Sequence, residues 1–423
     1  MITQIRIDGF KSFRDFRLDV PPTLIMLGPN GAGKSNLLDA LRLVAAAVGG
    51  GLADTARGDS RLTPGALLHR FGPQSEDRAE EFVVEVSAVS LCDYGPLPIT
   101  VRLSMQALPM TPPVLGVGEC SVRLGDLPAP GATGPYSRSE LREAMDEFSL
   151  LARDTRGTKA HLDVGKMQLG VVDSAVVLRA GVEEARGLLR RLALAESASW
   201  SSLVLDPVVM RQPSAGLSRP ELGVDGGYLA AVLARIRSDS PAAWRRLLGD
   251  LASLVDGVED VRTVSDERRQ ELDFEVLFSH TGWCAPPMLS DGTLRMIGLL
   301  AAAADPLRAP TVCVEEIENG MYPERVAELV RRLGRAGPDG AARQLIATTH
   351  SPALLAALRH DLSGSLVFLD QADHVDPVRR TVSRTTVARP LRAYDPDRAP
   401  GETVSPESVD RLLRRLGRGE GTA

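Results

Sequence analysis

Residues 28–35 read GPNGAGKS, and few eight-residue strings restrict a chain so tightly. The spacing fits G-x-x-x-x-G-K-[ST], a phosphate-binding loop that needs a buried strand before it and a helix after it. Both are legible here. Residues 23–27 form a short apolar run entering the glycines. Beyond them Leu37, Leu38, Leu41, Val44, Ala45 and Val48 recur at three- and four-residue spacing, up to Gly49, Gly50 and Gly51. Gly31 and Gly33 let backbone N–H groups turn inward on phosphates, and the helix N-terminus adds positive potential. Lys34 reaches the β/γ oxygens and Ser35 binds Mg2+. The candidate cradle for ATP with Mg2+ is therefore Gly28, Pro29, Asn30, Gly31, Ala32, Gly33, Lys34 and Ser35. The plain alternative is a glycine-rich turn without a ligand. The lysine argues against it, because of 49 basic residues only Lys11, Lys34, Lys159 and Lys166 are lysine.

Two further strands end in residues with chemistry. Residues 311–316 read TVCVEE, an apolar strand closing on two carboxylates. The first, Glu315, is placed to hold the Mg2+ shell, and the second, Glu316, to polarise the water that attacks a γ-phosphate. An exposed loop start is the bland reading, weighed against Glu318, Asn319 and Pro323 just beyond. Residues 344–352 read QLIATTHSP, with His350 past the end of a strand, where an imidazole can donate to a γ-phosphate oxygen. Between the two strands a helix begins at Pro323 and ends at Gly334; strand, helix, strand at this spacing implies a parallel pair. Residues 289–295 read LSDGTLR at a helix start. A Ser and a Gly there make a second anion site in a chain that already has one, unless Ser290 is an ordinary N-cap. The economical reading is that Ser290 and Gly292 meet the γ-phosphate of ATP held by another copy, head to tail.

These motifs, in this order, resemble the ABC-type ATPases of the RecF/SMC branch: phosphate loop, LSDGT-type signature, strand with paired Glu, switch His. The stretches IRIDGFKSFRDFRL, SNLLDAL, LDPVVMRQP, DGGYLAAVL, LSDGTLRMIGLLAA, CVEEIENGMYPE and IATTHSPALL look like the RecF-like AAA-family ATPases of bacteria. The resemblance implies an α/β P-loop NTPase fold with an ABC-type head, a mixed sheet flanked by helices and split by an inserted α+β lobe. It implies that Asn30 and Asn36 flank the phosphates, that Ser290 and Gly292 face the partner's nucleotide, and that Glu318 and Asn319 lie in a loop signalling across an ATP-dependent homodimer. Two positions depart from the pattern: Glu315 stands where Asp is usual, and Asp291 where transporter ATPases carry Gly. Gln74 is a weak candidate for the glutamine that links metal and lobe, and Phe13 and Arg14 are candidate adenine contacts.

The 423 residues suffice for a large core plus an added lobe. The expected parts are an N-terminal core segment over 1–108, the inserted lobe over 109–265, the rest of the core over 266–395 and a tail with a short helix over 396–423. Within them, residues 2–9 and 13–20 read as a hairpin, and 81–89 and 99–105 as half-exposed antiparallel strands. Helices are expected near 139–148, 182–194, 228–255 and 292–304, with a strand over 272–279. Four scattered cysteines fit neither a disulfide framework nor zinc and read as buried thiols. Residues 1–17 lack the apolar stretch of a leader, and the longest apolar run, 296–304, is too short to span a bilayer, so a soluble cytoplasmic chain with no membrane partner is expected. A net charge of −6 gives no global argument for nucleic acid. DNA, in repair or maintenance, would need local patches: Arg379, Arg380, Arg384, Arg389 and Arg392, or Arg411, Arg414, Arg415 and Arg418 on the tail helix. A solvated arginine face is the bland reading. The competing function is a regulatory ATPase controlling a separate effector, a nuclease or toxin in phage defence. The 73 residues after His350 are too few for a nuclease domain in this chain.

Overall fold

The first seventeen residues alternate apolar and charged side chains, and a chain with that period pairs as a hairpin with one face buried. In the computed structural model β1 (Ile2–Asp8) and β2 (Phe16–Asp19) do so, antiparallel with Ile5 opposite Leu18. The structure describes the chain except residues 53, 54, 56–59, 73–76, 109–113, 130, 131, 153–158, 162–182, 216–219, 308–310, 336–342, 359–362, 392–402, 406, 407, 409, 410 and 412–423. Its contacts form two units, residues 1–201 with 363–423, and residues 202–362.

In the first unit β1 is followed across the sheet by β4 (Glu81–Cys92), β5 (Gly95–Leu108), β6 (Val114–Leu124) and the short β7 (Lys159–His161), every pair antiparallel. Its buried face carries Ile5, Ile7, Phe82, Val84, Val101 and Leu103. Beside it β3 (Thr23–Leu27), buried at every residue, runs parallel to β14 (Leu366–Asp376), which turns back antiparallel into β15 (Thr381–Pro390). Helix α1 (Lys34–Val48) buries the expected stripe, including Leu37, Leu41 and Val44, and stops at Gly49. Each such side chain contributes about 1.5–3 kcal/mol over leaving it in water. Helix α2 (Arg138–Ala152) opens with a capping box: Ser137 N–H donates to Glu140 Oε2 at 2.7 Å while Glu140 N–H donates to Ser137 Oγ at 3.2 Å. Helix α3 (Glu183–Ser197) packs against α1.

The second unit pairs β12 (Thr311–Val314) in parallel with β13 (Gln344–Thr348), joined by α7 (Pro323–Leu333) and followed by α8 (Pro352–Leu358). A separate antiparallel sheet is built on β10 (Glu271–Phe278), flanked by β9 (Val258–Asp266), β11 (Gly282–Cys284) and the two-residue β8 (Ser214–Ala215). The apolar stretch over 228–255 is two helices, α4 (Leu229–Asp239) and α5 (Pro241–Leu254), because Pro241 can begin a helix but cannot continue one. Arg235 of α4 binds the buried Asp305 bidentately, at 3.0 and 2.5 Å, at the end of α6 (Asp291–Ala304). Arg332 of α7 pairs with Asp250 of α5 at 2.6 Å.

The expected lobe over 109–265 meets a different partition. Its first part extends the sheet of the first unit, since β6 continues the hairpin of β4 and β5 and buries Leu115, Cys120 and Val122 on the same face. Residues 202–265 belong to the second unit, where α4 and α5 cover α6. The expected tail helix lies almost wholly outside the described residues, as do Gln74, Arg392, Arg414, Arg415 and Arg418. Cys120, Cys284 and Cys313 are buried and Cys92 is half-buried, all outside any disulfide. No described helix is long and apolar enough to cross a membrane.

Candidate functional site

The phosphate loop leaves β3 and enters α1 within the first unit. Gly33 precedes the helix in a left-handed conformation, φ 100°, and offers no side-chain cap to the helix start. A Cβ at Gly28 would sit 2.2 Å from the Leu369 carbonyl, and one at Gly33 2.2 Å from Thr386 Oγ1. The loop thus lies flat on the β14–β15 hairpin. Thr386 Oγ1 is hydrogen-bonded to the Ala32 carbonyl (3.0 Å) and to Ser12 Oγ (2.7 Å), Asn36 Nδ2 donates to Ser12 Oγ (2.9 Å), and Gln371 Nε2 donates to the Gly31 carbonyl (2.7 Å). Asn30 and Gly31 are exposed, Pro29, Ser35 and Asn36 half-buried, and Ala32 and Gly33 buried. Lys34, 5% exposed, donates to the carbonyls of Gly28 (2.6 Å) and Pro29 (3.0 Å), which holds its ammonium inside the curl of the loop. These are the features of a cradle for a phosphate chain: glycines where a Cβ would collide, an uncapped helix start and a fixed cation. The residues fit ATP.

Sequence reasoning missed Gln371, Thr386 and Ser12 as supports of this loop. It also missed Asp39 in α1, buried and paired with Lys11 (2.6 Å) and Arg61 (2.8 Å). Of the adenine candidates, Phe13 meets a correction. Phe13 is fully buried and packs on Phe16, ring centroids 4.6 Å apart, so its faces are unavailable to a base. Arg14 pairs with Asp8 at 3.4 Å and lies over the Phe71 ring.

In the second unit the carboxylates follow β12 as read from sequence. Glu315 is half-buried, its N–H donating to the Leu203 carbonyl (3.2 Å). Glu316 takes a left-handed φ of 50°, uncommon for a residue with a Cβ, and is held there because its N–H donates to Thr348 Oγ1 (2.9 Å) and the next N–H, of Ile317, to the Thr348 carbonyl (3.1 Å). Its side chain faces His350, Glu316 Oε1 to His350 Nε2 3.5 Å, both partly exposed. The backbone N–H of His350 donates to Glu318 Oε1 at 2.6 Å. The structure therefore brings Glu316, Glu318 and His350 together at the ends of two buried strands.

Ser290 caps α6: its Oγ accepts from Thr293 N–H at 3.1 Å and contacts Thr293 Oγ1 at 2.8 Å. The ordinary N-cap is thus real, and the helix start is also exposed, with Ser290 and Asp291 open to solvent. Asp291 binds Arg211 at 2.7 Å, and the same guanidinium donates to the Leu289 carbonyl. A Cβ on Gly292 would meet the Gly320 carbonyl at 2.7 Å, and Arg295 donates to the Asn319 carbonyl at 2.7 Å. The signature turn and the turn after the carboxylates are packed as one piece.

Parallel buried strands tipped with carboxylates and a glycine loop opening a helix define the fold class: α/β, with the P-loop architecture of an ABC-type ATPase head. Two stretches of the chain match AAA-domain family models. Residues 4–85 match the family model described as AAA domain, and residues 238–356 the one described as AAA domain, putative AbiEii toxin, Type IV TA system. Over 61 residues, 14% of this chain, it is 46% identical to the chromosome partition protein Smc of Bordetella petrii, spanning 5% of that protein's length. Among solved structures it resembles an Smc head bound to the C-winged helix domain of ScpA (TM-score 0.51, 16% identity, 92% of this chain and 98% of that one). It also resembles an Smc head with an extended coiled coil bound to the C-terminal domain of ScpA, from Pyrococcus furiosus (TM-score 0.50, 14% identity, 98% and 99%). At these identities the likeness is one of fold.

Proposed function

We propose that the chain binds ATP with Mg2+, hydrolyses it, and closes on a second copy of itself over the nucleotide. The observation that carries the reading is the Glu316–His350 pair, a carboxylate in a strained backbone conformation set against an imidazole just past two buried parallel strands. Strain of this kind persists where surrounding bonds over-determine it. Lys34 and the loop N–H groups bind the phosphates. Ser35 and Glu315 are the residues that would hold Mg2+ in this reading, and the ion would supply charge neutralisation to the bound phosphates. Glu316 takes a proton from water as its oxygen attacks the γ-phosphorus and the bond to the β-phosphate oxygen breaks. His350 donates to a γ-phosphate oxygen. Closure by a second copy is supported by the open helix start at Ser290, flanked by Met288 (69% exposed) and Tyr322 (75%), large side chains suited to burial against a partner.

The test uses Glu316→Gln, which keeps ATP bound. Its mass by light scattering should double with ATP and Mg2+, and Ser290→Arg in the same background should stay monomeric while still binding ATP. An unchanged mass at saturating ATP would refute the shared site.

For the output, control of a separate effector has the better support. Three of the arginines considered for DNA are matched by carboxylates of the same hairpin: Arg379 with Asp376 (3.3 Å), Arg384 with Asp373 (3.8 Å), Arg389 with Asp370 (3.8 Å). A charge-balanced hairpin has little pull on phosphate backbones. The matched family description names a toxin system, and both solved heads carry a domain of another protein. DNA repair or maintenance is the alternative. Affinity isolation of tagged Glu316→Gln separates them: a stoichiometric protein favours the first, salt-sensitive nucleic acid the second.

A further inference from the structure

We propose that Glu318 is the positioning residue for His350, holding the switch imidazole against Glu316 by a bond to its backbone; this rests on the hydrolytic reading of that pair. His350 lies two residues past the end of β13, where no ladder partner fixes it. Its N–H is held instead by Glu318 Oε1 at 2.6 Å, a charge-assisted bond of the short, strong class. The neighbouring bonds are local ones: Ser351 N–H donates to Thr349 Oγ1 (3.0 Å) and Ser351 Oγ caps α8 through Leu354 N–H (3.1 Å). Glu316 and Ile317 hold the strand end at Thr348, and beyond Thr348 the Glu318 bond ties His350 itself to the turn bearing Glu316.

That turn has little freedom. Asn319 N–H donates to the Glu316 carbonyl and Met321 N–H to the Glu318 carbonyl, both at 2.9 Å. One end is pinned to Thr348 through Glu316 and Ile317. The other is pinned to α6 through Arg295 and through the close approach of Gly292 to Gly320. Glu318 therefore projects from a turn anchored at both ends, and its carboxylate sets where the His350 backbone sits. The 3.5 Å gap from Glu316 Oε1 to His350 Nε2 depends on that setting. A glutamine could place its carbonyl on the His350 N–H, whereas an aspartate, one methylene shorter, could not reach.

The experiment measures steady-state ATP turnover of Glu318→Ala, Glu318→Asp and Glu318→Gln in the full chain, with folding checked by thermal melting. Displacing a catalytic group by about 1 Å can cost up to ~100-fold, so the Ala and Asp variants should lose ~10- to 100-fold in kcat. KM for MgATP should stay within about twofold and Glu318→Gln within about threefold of the parent. In a His350→Ala background Glu318→Ala should cost nothing more, because its effect passes through His350. Parent-like kcat in Glu318→Ala or Glu318→Asp, an equal loss in Glu318→Gln, or an added loss without His350 would each overturn the proposal. If Glu316→Gln itself turned over at the parent rate, the hydrolytic reading would fall first and this inference with it.

Discussion

Gly33 and Gly31 sit two residues apart in one loop, yet their replacement by alanine should differ sharply in cost. Both have left-handed φ, 100° and 79°, a conformation that costs a residue with a Cβ roughly 1–3 kcal/mol. The space around them differs. A Cβ on Gly31 meets nothing within 4 Å, whereas one on Gly33 lands 2.2 Å from Thr386 Oγ1 and 3.0 Å from both Ser12 Oγ and Thr386 Cγ2. Thr386 cannot turn aside cheaply, because its hydroxyl is bonded to the Ala32 carbonyl and Ser12, and its N–H donates to the Ser12 carbonyl at 2.7 Å. Overpacking of this kind adds roughly 1–3 kcal/mol. Gly33→Ala should therefore be less stable than Gly31→Ala by about 1–3 kcal/mol, read from urea unfolding at constant slope. In a Thr386→Ala background, where the hydroxyl and its two hydrogen bonds are already gone, Gly33→Ala should cost about 1–3 kcal/mol less than in the parent, because only the φ cost remains. Equal midpoints for the two single variants would refute the argument that the hairpin, rather than backbone conformation alone, requires glycine at 33.

Two shorter predictions follow from the first unit. Lys34→Ala should lose MgATP binding by at least ~100-fold in calorimetry, since the variant removes the fixed charge facing the phosphates and the donor that curls Gly28 and Pro29 inward; an affinity near the parent's would contradict the cradle. His69 is buried, its ring bonded to the Lys11 carbonyl (2.7 Å) and Ser383 Oγ (3.0 Å), and burial holds its pKa below the ordinary 6.5. The unfolded chain then binds more protons than the folded one at acid pH, so this contribution to stability is complete above 6.5 and is lost as pH falls below it. The urea midpoint of the parent should drop on that side more steeply than that of His69→Gln, and identical slopes would show that His69 does not couple to folding.

The strands that carry chemistry were legible to the residue. Thr23–Leu27, Thr311–Val314 and Gln344–Thr348 are buried at every position, so each is a short run with an apolar centre that ends at or within two residues of a Gly, a Glu or a His. Half-exposed strands were not. In β6 the glycines Gly116 and Gly118 interrupt the alternation, and in β14 and β15 aspartates and arginines fill the solvent face, so neither strand announces its partner. The boundary expected near 109 therefore lies between two paired strands of one sheet, β5 and β6, and in sequence the β14–β15 hairpin shows only its arginines. The break at Ser240 was readable from Pro241 and was smoothed over by the apolar pattern on either side.

The candidate site divides along the same physical line. A motif records what each residue must be, and the reason for that requirement can lie hundreds of residues away. Gln371 and Thr386 reach the loop carbonyls across 340 and 354 residues of sequence, and both come from the one hairpin that pattern reading could not delimit. Gly28 is glycine because the Leu369 carbonyl of that hairpin lies against it, and Gly33 because Thr386 does. The shape of the phosphate loop is thus set jointly by its own glycines and by a β14–β15 template, and a substitution in the hairpin changes the cradle without touching any residue of the motif. The second unit repeats the logic at shorter range: Thr348 and Glu318, rather than the carboxylate and histidine themselves, fix the conformation in which Glu316 meets His350.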